Sequence, residues 1–136
     1  MRIFVDANVI VAVLNRQYPL FPYAAKILSL ADNPRFRVYT SPICLAIAFY
    51  FAEKKCGTMQ AREKIGVLSR KLEITATDSR TVQSATSNTA IHDFEDGLEY
   101  YAALQSSCQL IVSEDVSDFY FSEIPVQDCE TFLDNI

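Results

Sequence analysis

Two short apolar runs each lead into an acid. Asp6 closes Ile3-Phe4-Val5, and Asp115 is the third residue after Leu110-Ile111-Val112, with Asp93 and Asp96 lying between them. Carboxylates hold hard divalent cations, and they serve as general acids and bases. Asp93 and Asp96 are three apart, a spacing that shares one face of a helix, and a helix start favours both. If Asp6, Asp96 and Asp115 meet at one point, their repulsion demands a divalent cation or protons. An all-oxygen donor set suits Mg²⁺ or Mn²⁺, which bind through a few carboxylates plus substrate phosphate. The chemistry open to such a set is metal-assisted acid–base work at a bound phosphate, with the metal or a spare carboxylate, for which Asp93 is the candidate, as base because no Lys or His sits in these motifs. Taken singly, each acid also fits a helix cap or a solvated turn, and Asp93 in particular reads as an N-cap.

The elements that must position these groups alternate in type. Ile3–Val5 reads as a buried strand, and Val9–Leu14 fits either a strand or the start of a helix. Tyr23–Ala31 has a helical apolar face, ended by Asp32-Asn33-Pro34. Phe36–Thr40 reads as a second strand, followed by Ser41 as N-cap and Pro42 in the first turn of a helix that ends at Gly57. That helix is apolar almost all round, which predicts burial on every side. A more polar helix from Thr58 to about Arg70, a short strand within Leu72–Ala76 and a helix capped by Asp78 come next. Phe94 to about Ser106 reads as helix, Leu110–Val112 and Ile124–Val126 as strands, and 129–135 as a terminal helical turn. Short apolar strands alternating with helices predict an α/β fold with a mostly parallel sheet of four or five strands. Ligands in such folds sit beyond the carboxyl ends of the strands, where these acids fall.

The chain of 136 residues has the length of one domain, 1–136, and half of it is hydrophobic. The net charge of −5 excludes nucleic-acid binding by bulk charge alone. That sum conceals a split: residues 1–80 carry all 12 basic residues and six acids, whereas 81–136 carry 11 acids and no base. Lys54, Lys55, Arg62, Lys64, Arg70 and Lys71 are close in sequence and offer an approach surface for a phosphate backbone. No apolar run is long enough to span a membrane, and an acid interrupts the first apolar stretch, so no membrane association and a cytoplasmic location are expected. The four cysteines form no C-x-x-C pair and read as reduced thiols, and His92 is isolated.

Four segments resemble the PIN domain family, and within it the VapC-like toxin ribonucleases. Ile3-Phe4-Val5-Asp6-Ala7-Asn8-Val9-Ile10 resembles its first strand. Thr40-Ser41-Pro42 and the helix after it resemble its second strand and helix. Asp93-Phe94-Glu95-Asp96-Gly97-Leu98, running into Tyr101-Ala102-Ala103-Leu104, is similar to the segment around its third acid. Leu110 to Phe119 is similar to its last motif, with Ser113 where Thr is more usual. The resemblance implies a three-layer α/β/α sandwich and a metal-dependent endoribonuclease, commonly the toxin of a toxin–antitoxin pair. It further implies metal binding by Asp6, Asp96 and Asp115, oriented by Asn8 and Ser113, with Asp93 as an addition. The implied partners are an RNA substrate, an antitoxin protein and a second copy of the chain. One position departs from the family: Ile47 stands where a Glu is usual, and the nearest later acid in that helix is Glu53. An isoleucine binds no metal, so the alternative expectation is a catalytically degenerate PIN-like module that binds a protein or RNA without cutting it. Aspartyl-phosphate chemistry fits poorly, since Asn8 replaces the second Asp it needs and no Lys follows Lys71.

Overall fold

A computed structural model describes residues 1–136. Five strands, β1 (Arg2–Val5), β2 (Arg37–Thr40), β3 (Glu73–Ile74), β4 (Leu110–Val112) and β5 (Val126–Gln127), form one sheet in the order β3-β2-β1-β4-β5. Every pairing is parallel, with Phe4 opposite Tyr39 on one side and Ile111 on the other. The α/β class and three-layer arrangement expected from the sequence are therefore present.

β1 lies at the centre, and Ile3, Phe4 and Val5 are fully buried, as a strand covered on both faces requires. Seven helices supply the cover: α1 (Ala7–Leu14), α2 (Phe21–Ser29), α3 (Pro42–Cys56), α4 (Thr58–Lys71), α5 (Ser79–Ser87), α6 (Phe94–Gln105) and α7 (Cys129–Asp134). α1 packs on α2 and α3, and α3 on α4, whereas α5 and α6 form a separate pair. The chain moves from β1 to β2 in one direction and from β3 to β4 in the other. Right-handed crossovers put these two helix sets on opposite faces. The strand order reverses between β1 and β4, so the crevice of a doubly wound sheet opens there.

Val9–Leu14 is helical, not extended. Asp6 ends β1 and its Oδ1 accepts the Ala7 amide at 2.6 Å, which starts the helix at once. Burial of Val9, Ile10, Val11 and Leu14 then outweighs the modest helical cost of β-branched residues. α3 begins as expected, with Ser41 Oγ accepting the Cys44 amide at 3.1 Å, and stops at Gly57, whose φ of 86° is left-handed. It is not buried all round. Only Cys44, Ala48 and Ala52 are fully buried, because α3 touches α1 and α4 along a small-residue stripe and leaves Tyr50 and Phe51 about half exposed. β5 also starts later than the apolar run suggests. Pro125 has no amide to donate, and its carbonyl accepts from Ile111 at the point where the ladder begins.

Candidate active site

Asp6 sits one residue past the central strand and its amide still bonds Val112 O at 3.0 Å, so its position is fixed by the sheet itself. Asp6 is 7% exposed. Ser113, wholly buried one residue past β4, donates from Oγ to Asp6 Oδ2 at 2.7 Å and accepts the Asp115 amide at 3.1 Å. Asn8, on the first turn of α1, bridges the two acids. Its Nδ2 lies 3.4 Å from Asp6 Oδ2, 3.2 Å from Ser113 Oγ and 3.2 Å from Asp115 Oδ2. The Glu114 amide donates to Asn8 Oδ1 at 3.2 Å, which turns the NH₂ end of the side chain toward the carboxylates.

From the opposite helix set, α6 aims its N-terminus at the same place. Asp93 is its N-cap, and one carboxylate oxygen accepts the amides of Glu95 and Asp96. Asp93 and Asp96 both line a cavity of about 390 Å³ together with Asp6, Asn8 and Asp115. The candidate ligand and orienting residues share this cavity, with Asp6, Asn8, Asp93, Asp96 and Asp115 in its wall and Ser113 directly behind Asp6, although the acid and thiol atoms that lie within 4.8 Å of one another are those of Asp6, Cys44 and Glu99. Asp118 and Glu95 add to the rim. Glu114 turns away, and its Oε2 accepts the Cys129 amide at the start of α7.

Two further residues of the cavity matter. Ile47 on α3 does line it, so the missing carboxylate of that helix leaves an apolar wall. Glu99 on α6 also lines it and is only 2% exposed. Sequence reasoning passed over Glu99, although the three-residue spacing that linked Asp93 to Asp96 continues to it. Its Oε1 lies 2.7 Å from the Sγ of Cys44, and ligand atoms of Asp6, Cys44 and Glu99 lie within 4.8 Å of one another.

No cation of the protein offsets this charge. The ion pairs of the chain are Arg37–Glu73 and Lys71–Asp32, both at the surface, and no Lys, Arg or His lines the cavity. Burial, reinforced by the charges of Asp93, Asp6, Asp118 and Glu95, pushes the Asp96 carboxyl up to about 7. Burial, then the charge of Asp6, pushes Glu99 up to about 10. Burial also lifts the Cys44 thiol well above its ordinary range, with Glu99 and Asp6 adding to the effect, so it stays S–H and donates to Glu99. A set of oxygen donors from several elements, crowded together without a counter-charge, fits a hard divalent cation.

The lysine and arginine cluster of α3 and α4 is not gathered at these acids. Lys55 donates to the carbonyl of Asn15, and Lys64 to that of Leu14 at 3.0 Å. They cap the far end of α1, about 12 Å along its axis from Asp6. Lys71 pairs with Asp32 at 3.4 Å, Lys54 lies 4.3 Å over the Tyr50 ring, and Arg62 and Arg70 line a separate groove on α4.

A parallel, doubly wound sheet with acids gathered at its strand-order reversal places the protein among the α/β folds whose ligand crevice lies at that edge. The PIN domain family model matches residues 2–117, and the chain belongs to that family. Ribonuclease VapC1 of Aquifex aeolicus is 26% identical over 98% of this chain and 94% of its own length. Among solved structures, VapBC-1 from nontypeable Haemophilus influenzae superposes with a TM-score of 0.71 at 18% identity, covering 96% of this chain and 99% of that one. VapC20 of Mycobacterium tuberculosis, a sarcin–ricin loop cleaving toxin, gives 0.64 at 20% identity over 80% and 86%.

Proposed function

We propose that this protein is a divalent-metal-dependent endoribonuclease that hydrolyses RNA phosphodiester bonds as the toxin of a toxin–antitoxin pair. The observation that carries this reading is the convergence of Asp6, Asp96 and Asp115, from three separate segments, on one cavity that holds no protein cation. The likeness to Ribonuclease VapC1 and to a sarcin–ricin loop cleaving toxin supports the substrate class.

Asp6, Asp96 and Asp115 would hold Mg²⁺ or Mn²⁺. The chemistry such an ion supplies when bound is polarisation of a phosphate oxygen and acidification of a water. The chain's own part is orientation. Ser113 and Asn8 hold the carboxylates of Asp6 and Asp115 at fixed angles before any ligand arrives, which reduces the reorganisation left for the reaction. Asp93 uses one oxygen to cap α6 and keeps the other for a proton from the attacking water. The partners that follow are an RNA substrate, an antitoxin protein that blocks the acidic cavity, and a second copy of the chain. No helix is long and apolar enough to cross a membrane, and the site of action proposed is the cytoplasm, where RNA and Mg²⁺ are present.

The test is cleavage of an end-labelled structured RNA by the purified chain with Mn²⁺, Mg²⁺ or EDTA. The expected result is discrete fragments with either metal, none with EDTA, and none with Asp96→Asn or Asp115→Asn. Ile47 in the cavity wall favours a second reading, a degenerate domain that binds RNA or protein without cutting. Retained RNA or antitoxin binding with no Asp96-dependent cleavage would establish that one.

A further inference from the structure

Ile47 and Glu99 face the same cavity from opposite helix sets, Ile47 from α3 and Glu99 from α6. The family's acid on α3 is absent, yet the cavity holds a buried carboxyl besides Asp6, because α6 supplies Glu99 a turn beyond Asp96. We propose that Glu99 is the fourth carboxylate of the metal centre, held in place by the thiol of Cys44, and that it takes over the role left vacant by Ile47. This rests on the reading of the site as a metal-dependent nuclease.

Three observations carry it. Glu99 is almost completely buried in a position with no Lys, Arg or His to pair with it. A carboxylate of this kind has a large desolvation cost, and a structural role would be met better by Gln or Leu. Its ligand oxygen is within 4.8 Å of a ligand oxygen of Asp6, the most firmly positioned acid of the site, so one ion can touch both. Finally, Glu99 has a dedicated support. Cys44 lies on the first turn of α3, its amide is bonded to Ser41, and its Sγ is 2.7 Å from Glu99 Oε1. That contact fixes the carboxyl by a neutral donor that adds no positive charge, so a cation that displaces its proton meets no competing protein cation. Cys44 is then a positioning residue, and Glu99 a ligand.

The experiment is Mn²⁺ binding to the full chain by calorimetry, together with the rise in Tm that Mn²⁺ produces, for wild type, Glu99→Gln and Asp115→Asn. Glutamine keeps the size of Glu99 and an oxygen to accept from Cys44 but cannot ionise to meet a cation. The expected result is a loss of Mn²⁺ affinity of about tenfold or more in Glu99→Gln, comparable to that in Asp115→Asn, with a higher Tm for the metal-free variant. Glu99→Gln binding Mn²⁺ within twofold of wild type while Asp115→Asn is weakened would overturn the role of Glu99 and leave the metal site intact. A wild type that binds no Mn²⁺ would instead overturn the nuclease reading beneath it. Should Glu99→Gln fail to fold, the wild type carries the test. The infrared S–H band of Cys44, assigned by its loss in Cys44→Ala, moves to higher frequency when Mn²⁺ draws charge from Glu99, and a band that Mn²⁺ leaves unmoved refutes the proposal.

Discussion

The Ser113 hydroxyl donates to Asp6 Oδ2 at 2.7 Å, joining residues 107 apart in sequence at the point where β1 and β4 end side by side. Both partners are buried, so the bond has no water to replace it. Ser113→Ala leaves a buried carboxylate oxygen without its best donor and frees the Asp115 amide. The expected cost is about 1.5–3 kcal/mol in urea unfolding of the metal-free protein. Mn²⁺ affinity should fall about 10- to 100-fold, because Asp6 and Asp115 lose a common anchor. Unchanged affinity in this variant would separate Ser113 from the site.

Asn8 carries the opposite sign of argument. Its NH₂ group faces Asp6 and Asp115 at 3.4 and 3.2 Å. Asn8→Asp replaces that donor by a third carboxylate at nearly the same volume. The metal-free protein should lose about 2 kcal/mol through repulsion and lost hydrogen bonds. Mn²⁺ should restore more of its Tm than it adds to wild type, since the ion now offsets an additional charge. Differential scanning fluorimetry with and without Mn²⁺ reads both effects in one plate.

The convergence of the acids was legible because it depends on topology. A parallel sheet puts every strand's carboxyl end on one edge, so Asp6 and Asp115 had to be neighbours once β1 and β4 paired. Glu99 was not, although it continues the spacing of Asp93 and Asp96. Embedded in Leu98-Glu99-Tyr100, it reads as a polar position on an otherwise apolar helix, and only the tertiary contact with Cys44 shows that it points inward. The uniform apolarity of α3 misled for a similar reason. Hydrophobicity reports what a surface prefers, whereas exposure of Tyr50 and Phe51 depends on how few helices lie outside α3. Where the basic cluster lies was not legible, because proximity in sequence says nothing about which end of a helix a lysine reaches. Lys55 and Lys64 reach back to the carbonyls of Asn15 and Leu14.

Gly97 tests how tightly α6 is held. A Cβ there would meet Ile91 Cγ2 at 3.1 Å and Ala85 Cβ at 3.2 Å. Alanine gains about 1 kcal/mol of helix propensity over glycine. Ile91 can rotate away, but Ala85 belongs to α5 and has no rotamer to change, so the two helices must part. The expected net effect of Gly97→Ala is a loss of about 1 kcal/mol, growing with Gly97→Val. The neighbouring Asp96 moves with the helix, so Mn²⁺ affinity falls in the same order, which calorimetry across the series would read.

The crowded acids also set how stability depends on pH. Asp96 and Glu99 titrate near 3.8 and 4.5 in an unfolded chain, and burial together with neighbouring carboxylates raises them to about 7 and about 10 in the folded one. Between those values the folded state binds more protons than the unfolded state, so its stability falls as pH rises. The contribution is fully present below about pH 4. The part due to Asp96 is lost through pH 7, and the part due to Glu99 continues to be lost toward pH 10. Metal-free protein should therefore show a falling Tm from pH 5 to pH 9, with a slope from Glu99 of up to about 1.4 kcal/mol per pH unit. Glu99→Gln should reduce the slope over the whole range and remove it above about pH 7, whereas Asp96→Asn should reduce it only below about pH 7. Saturating Mn²⁺ should flatten both in wild type, because the ion occupies the place of the protons. A metal-free Tm that is level or rises over this range would show that the buried carboxyls are not held protonated by one another.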